Sequence, residues 1–243
     1  MAFRDELYGS YTLHPSHATN EPSAAFDQVH AHYLGDWLPC DPETPMLDLG
    51  CGNGRLLAFL IGRGFRSVTG IDRSPAQVER SRRAAPTAEV ILGDGLELLL
   101  KRPKMFGAIF CIDVLEHLSR EELLGLLRLI AGGLRPGGIL IAQVPNADSP
   151  FHGAIRYGDL THELAFTTGA LEHLFAVVGL EHVRFRECGP VAKNLKGVLR
   201  VGAWKLLRGL LRAWNAVETG EARSGIYTRV MLVRAERNSV AAG

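Results

Sequence analysis

The chain has 243 residues, 47% hydrophobic and 22% charged, with a formal net charge of +1. That length suits one large α/β domain with appendages, and the near-neutral balance gives no global attraction for nucleic acid. Four scattered cysteines without a C-x-x-C pair point to reduced thiols in a cytoplasm, not to a disulfide frame or zinc site.

In chain order, residues 1–44 are rich in His, Pro and Tyr, and a helix is predicted near Ala24–Trp37. Arg4, Asp5 and Glu6 rule out an apolar leader at the start of the chain, and no apolar run approaches the roughly 18 residues of a membrane span, so a soluble protein is expected. His14-x-x-His17 and His30-x-His32 have ligand-like spacing, but no Cys or acidic cluster supports them. They are read as part of a polar N-terminal cap, and no metal is expected.

From Met46 onward, short apolar runs alternate with helical patterns, the signature of β-α-β units around a parallel sheet. Strands are predicted near Met46–Leu49, Ser67–Ile71, Ala88–Leu92, Ala108–Ile112 and Ile139–Val144. Helices are predicted near Arg55–Arg63, Pro75–Ala84 and Arg120–Gly132. Ser74-Pro75 and Ser119 with Glu121 and Glu122 mark helix starts, and Arg135-Pro136-Gly137-Gly138 marks a stop. A long loop, Pro145–Thr168, precedes a helix near Gly169–Val178 and strands near His182–Glu187 and Tyr227–Arg234. Residues 189–224 read as an insertion between those last two strands, better described as two short helices than one. The organisation expected is a cap (1–44), a core (45–188 plus 225–236) and the insertion.

The first strand runs into Gly50-Cys51-Gly52-Asn53-Gly54-Arg55, a tight turn opening a helix whose terminal amides face a ligand. Dinucleotide sites favour G-x-G-x-x-G. Here the third-glycine position of that motif is Arg55, and Asp48 lies two residues before the first glycine. A carboxylate there is unwelcome beside a pyrophosphate and suits a cationic group such as an ammonium or sulfonium. Strand two then ends at Asp72, suited to ribose hydroxyls, and strand three at Gly93-Asp94-Gly95, suited to an adenine amine. Strand four ends at Cys111-Ile112-Asp113-Val114-Leu115-Glu116-His117. In an open α/β sheet these ends share the ligand-binding edge.

In this order the stretches LDLGCGNGR, VTGIDRSP, ILGDGLELL, FGAIFCIDVLEHL and LRPGGILIAQVPN resemble the class I S-adenosylmethionine-dependent methyltransferases. The resemblance covers about residues 40–187 and the last strand. It implies a Rossmann-like seven-stranded sheet, mostly parallel with an antiparallel last strand, and S-adenosyl-L-methionine as co-substrate. It places Asp48, Gly50, Cys51, Gly52 and Gly54 near the methionine portion, Asp72 and Arg73 at the ribose, Asp94 and Gly95 near adenine, and Cys111 along the methionine portion through its backbone. Gly107 departs from the acid that many relatives carry there.

The stretch Gly158-Asp159-Leu160-Thr161-His162-Glu163-Leu164-Ala165-Phe166-Thr167 is similar to a loop of the subgroup related to ubiquinone-biosynthesis O-methyltransferases. It implies a small-molecule acceptor, a saccharide, lipid-linked glycan or quinone-like hydroxyl, and not nucleic acid. His162 and His117 are the candidate bases for that hydroxyl; a backbone-tying role for His162 and a helix-cap role for His117 are the alternatives. In the insertion, Lys193, Lys196, Arg200, Lys205, Arg208 and Arg212 interleave with Leu and Trp. A lid, a homodimer helix and a peripheral contact with the inner membrane face stay open. A partner subunit that keeps the fold without catalysis, and N- or C-methylation of another metabolite, are the competing functions.

Overall fold

The predicted alternation is realised in a computed structural model that describes residues 24–221 and 225–239, with side chains from residue 28. His14 and His17, and most of the predicted cap, lie outside the described residues. The elements are α1 (Ala24–Leu34), β1 (Met46–Leu49), α2 (Arg55–Gly62), β2 (Val68–Asp72), α3 (Pro75–Ala84), β3 (Glu89–Leu92), α4 (Gly95–Lys101) and β4 (Phe106–Ile112). There follow a 3-10 turn (Leu115–His117), α5 (Arg120–Gly133), β5 (Leu134–Pro145), α6 (His152–Arg156), α7 (Thr168–Val177), β6 (Leu180–Glu187), α8 (Leu195–Thr219) and β7 (Val230–Arg237).

The strands form one sheet in the order β3-β2-β1-β4-β5-β7-β6. Strand β7 runs antiparallel to both its neighbours, and the other pairings are parallel. Chain order reverses direction between β1 and β4, so a crevice opens at their carboxyl ends, the usual ligand position in such sheets. Helices cover both faces, which is why the central strands read as continuous apolar runs. In β4, Ile109 and Cys111 face the layer of α4, α5 and α7, while Ala108, Phe110 and Ile112 face the layer of α1, α2 and α3.

Local signals behave as the sequence suggests where caps are strong. Pro75 occupies the first turn of α3, and Ser119 with Glu122 closes a reciprocal capping box on α5. Three elements depart from expectation. Strand β5 begins at Leu134, because Leu134 pairs with Phe106 through a bulge and extends the ladder over the Pro-Gly-Gly turn. Helix α4 follows β3 directly, capped by Asp94. The long loop after β5 contains α6.

The insertion is also corrected: it is one continuous 25-residue helix, α8, not two short ones. Lys196, Arg200, Lys205 and Arg212 flank an apolar strip, while Arg208 faces the body and pairs with Glu187. Helix α1 is fastened to the end of β6, where the Arg186 guanidinium forks onto Asp36 at 2.6 and 2.7 Å and stacks 4.2 Å from the Trp37 ring. The Tyr33 hydroxyl donates to the Gly189 carbonyl. These contacts set α1 and the start of the insertion on opposite walls of a cavity.

Candidate active site

The glycine turn is held by main-chain bonds from β2. Gly50 N and Cys51 N both donate to the Ile71 carbonyl, at 2.9 and 3.0 Å. Gly52 N donates to Asp72 Oδ2 at 2.9 Å, and Ser74 N donates to Asp72 Oδ1 at 2.8 Å. Asp72 therefore ties the turn to the start of α3, and each of its oxygens keeps a further lone pair for a hydroxyl donor. Burial pushes its carboxyl above the usual range, against those amide bonds.

Two glycines are dictated by geometry. Gly54 has φ of 81°, and a Cβ there would lie 2.6 Å from Ser81 Oγ. Gly52 has φ of 52°, and a Cβ there would meet nothing within 4 Å, so its bare Cα borders open space. That open cradle, edged by main-chain amides and the two acids, is the fit the structure offers a nucleoside with a cationic tail.

Asp48 is 3% exposed at the end of β1. Burial, then the charge of Asp72, raises its carboxyl well above the ordinary value. A cation entering beside it would relieve both costs. Cys111 is fully buried in β4, opposite Ala142 of β5. Cys51 is buried too, and burial pushes both thiols up. Asp94 is more than a solvated turn acid. Its Oδ1 caps α4 by accepting from Leu96 N at 2.7 Å, and its Oδ2 accepts from Arg73 Nη2 at 2.6 Å. Arg73 and Asp94 thus form a clasp across the ends of β2 and β3, beside Gly95.

The acceptor side is built from distant segments. His117 is buried in the 3-10 turn after β4, and Ser119 is the residue that caps α5, so the cap alternative for His117 does not hold. The His117 and His162 rings meet edge to face with centroids 4.7 Å apart. The two candidate bases are one cluster.

Hydrogen bonds fix their tautomers. The Thr161 hydroxyl gives its proton to Asp159 Oδ1 at 2.7 Å, so at its 2.9 Å contact with Thr161 His117 Nδ1 is the donor. His162 Nδ1 lies 2.9 Å from the Ile155 carbonyl, which only accepts. In both neutral rings the lone pair therefore sits on Nε2. The His162 carbonyl is itself held by Arg156, so the backbone-tying role and the placing of the ring coexist.

Three acids to which the sequence assigns no role complete the cluster. Glu116 is 1% exposed, its Oε2 has no hydrogen-bond partner among the described residues, and burial followed by the charge of Asp113 raises its carboxyl well above the ordinary value. Asp113, in the left-handed region at φ of 55°, accepts from Gln143 Nε2 at 2.9 and 3.1 Å; burial raises its carboxyl. Burial opposes ionisation of Asp159, but the Thr161 hydroxyl and amide hold its carboxyl below the ordinary value. The run Asp113-x-x-Glu116-His117 was visible in the sequence; its link to the loop at 159–162 was not.

Glu116, His117 and His162 each bring a ligand atom within 4.8 Å of the others, a spacing fit for a metal ion. Among the described residues His30 and His32 belong to no such group. His30 packs on Phe59 and His32 on Tyr33.

Gln143 connects this cluster to the cavity between α1 and the insertion, whose volume is about 430 Å³. Its walls are mainly apolar (Val29, Leu34, Ile112, Leu232), with His30, Tyr33, Lys193 and Arg200 as polar points beside Gln143. Cys188, also on the wall, has its thiol pushed up to about 12 by burial.

Residues 46–138 match the family described as "Methyltransferase domain". A ubiquinone biosynthesis O-methyltransferase from Methylocella silvestris is 31% identical over 142 residues, 54% of this chain and 54% of that protein. A trans-aconitate 2-methyltransferase from an Enterobacter species is 31% identical over 136 residues, 55% of this chain and 52% of that protein. The chain thus spans about half the length of the curated relatives it matches. A crystal structure of a SAM-dependent methyltransferase from Archaeoglobus fulgidus superposes with a TM-score of 0.65 at 20% identity, covering 87% of this chain and 94% of that one. Residues 46–138 are thus similar to a methyltransferase domain, and the chain shares its fold with a SAM-dependent methyltransferase of known structure.

Proposed function

We propose that this protein transfers a methyl group from S-adenosylmethionine to a hydroxyl oxygen of a small molecule. The observation that carries the reading is that two constellations follow the neighbouring strands β1 and β4, whose ends approach where a Cβ on Gly50 would lie 2.8 Å from Val114. The glycine turn, Asp48, Asp72 and the Arg73–Asp94 clasp lie on one side; the His117–His162 pair lies on the other. When bound, the co-substrate supplies an electrophilic methyl on a sulfonium. The chain binds the nucleoside through Asp72 and the turn, sets the sulfonium beside Asp48, and excludes water with α1 and the insertion. Most of the acceleration in such a transfer comes from alignment. Nε2 of His162 or His117 takes the hydroxyl proton, with Nδ1 anchored by Ile155 and by the Thr161–Asp159 relay respectively.

The cavity has the volume of a single-ring acceptor, and its apolar walls favour a quinone-like or lipid-linked saccharide substrate over a free polar sugar. The subgroup likeness in residues 158–167 supports the same class. The test is transfer of labelled methyl from S-adenosylmethionine to a panel of phenols, quinols and saccharides. Label on oxygen that is lost in Asp72→Ala supports the reading; label only on nitrogen or carbon acceptors overturns the choice of oxygen.

A second reading of the cluster rests on Glu116 Oε2, buried without a hydrogen-bond partner among the described residues, beside two histidines whose Nδ1 atoms are already anchored. That is how a carboxylate and two imidazoles are arranged around a divalent cation. Under it, Glu116, His117 and His162 hold the ion, and the ion supplies Lewis acidity to the hydroxyl. Calorimetry with Mn²⁺ alone separates the two. Binding abolished in Glu116→Gln favours the cation, and no binding leaves proton transfer by the imidazoles.

A further inference from the structure

Helix α8 turns its apolar side outward. At 100° per residue, Leu195, Leu199, Leu206, Leu210 and Val217 fall within an arc of about 60°. They are 59–89% exposed, and Trp214 beside them is 72% exposed. The opposite side of the helix meets the body. There Gly197 is buried, Trp204 Nε1 donates to Glu187 at 3.0 Å, and Arg208 pairs with the same carboxylate at 2.5 Å. The outward strip has a cationic border on each side, exposed Lys196 and Arg200 on one, exposed Lys205 and Arg212 on the other. No acid interrupts residues 193–217.

We propose that α8 is a docking surface for an anionic lipid bilayer, lying flat with its leucine strip between the headgroups. An apolar strip of about 33 Å bordered by cations is complementary to acyl chains beneath a layer of negative headgroups. The charge pattern selects this occupant over a second copy of the chain. Pairing two α8 strips brings Lys196 and Arg200 against their own counterparts or against Lys205 and Arg212, with no carboxylate on the helix before Glu218 to offset them. The helix is not apolar enough to cross a membrane, which suits a helix lying in the interface. Arg200 also lines the cavity, so the docked surface abuts its wall. The proposal stands apart from the choice of acceptor and of reaction.

The test is flotation of the full chain with vesicles of phosphatidylcholine alone or mixed with phosphatidylglycerol, at low and high salt. Binding at least tenfold stronger to the anionic vesicles is expected, weakening as salt rises. A blue shift of tryptophan emission should accompany it and shrink in Trp214→Phe. Leu206→Glu with Leu210→Glu should abolish binding, and Lys196→Glu with Lys205→Glu should weaken it severalfold and flatten the salt dependence. All of these are exposed positions, and circular dichroism checks that the fold persists. No binding to anionic vesicles at low salt overturns the proposal. So does a wild-type dimer in sedimentation that the leucine variants turn into a monomer without any vesicle binding.

Discussion

The two sides of the β1–β4 crevice are made in different ways. The cofactor side consists of strand ends and the turns next to them, and its polar groups are fixed by main-chain hydrogen bonds within about 25 residues of sequence. The acceptor side joins a turn after β4, a loop after β5, a helix before β1 and an insertion before β7. Its geometry depends on contacts such as Thr161 to His117, 44 residues apart. A binding site for a shared co-substrate can be written into local sequence, because every such protein must make the same turn. A site for a particular acceptor has to be assembled from parts that are free to differ.

The sharpest way to break that contrast is Asp72→Ala. It removes the bond to Gly52 N and the proposed grip on the ribose together, so affinity for S-adenosylhomocysteine should fall by roughly 100-fold or more, read by calorimetry. An affinity within a few fold of wild type would show that the turn does not hold the nucleoside.

His162→Ala and His117→Ala should act on the other side alone. Turnover is expected to drop by about 10², while S-adenosylhomocysteine affinity stays within about threefold of wild type. Equal loss of affinity and turnover would merge the two sides into one unit. Because the rings touch, the double variant should cost much less than the product of the singles.

Gly54→Ala tests how firmly the turn is fixed. Its Cβ would need a left-handed backbone and a contact of 2.6 Å with Ser81, for a cost of about 1–3 kcal/mol and a Tm lowered by roughly 2–4 °C per kcal/mol.

Asp48→Asn should show the opposite sign in the ligand-free protein. Burial raises the carboxyl pKa in the folded state above its unfolded value near ~3.9, so the folded chain keeps its proton longer. The stability that this gives is present in acid and is lost as pH rises from the unfolded value through the folded one. The Asn variant should be more stable than wild type at neutral pH, with a flatter stability profile in urea between acid and neutral pH, and should bind the sulfonium co-substrate more weakly. A variant less stable than wild type at pH 7 would contradict the role given to Asp48.

The smallest effect is expected from Arg73→Ala. Its partner Asp94 keeps the α4 cap, and the pair is largely solvent-exposed, so thermal stability should change by less than about 1 kcal/mol.

This contrast also explains what could be read from sequence. Asp48, the glycines, Asp72 and Asp94 were legible because each sits at a fixed step from an apolar strand, and strand ends in such a sheet share an edge. Helix α4 was missed because it is short and its cap, Asp94, had been read only as a ligand acid, although Asp94 with Glu97 three residues on was itself a helix-start signal. Thr161 and Asp159 lay in a quoted motif, yet nothing local showed that they orient His117. Glu116 was hidden for a different reason: a buried carboxyl beside Leu115 reads as an exposed helix acid until the fold closes over it. The insertion reads as two short helices because its cations lie on both sides of the apolar strip and not on one arc. In α8 the apolar face points away from the body, and a sequence pattern does not say which way a helix faces.

The central claim is that the crevice is a working co-substrate site. Its most direct test is a calorimetric titration of the wild-type protein with S-adenosylhomocysteine. The account predicts one-site binding with a Kd in roughly the micromolar range, and no heat of binding up to about 1 mM would contradict it.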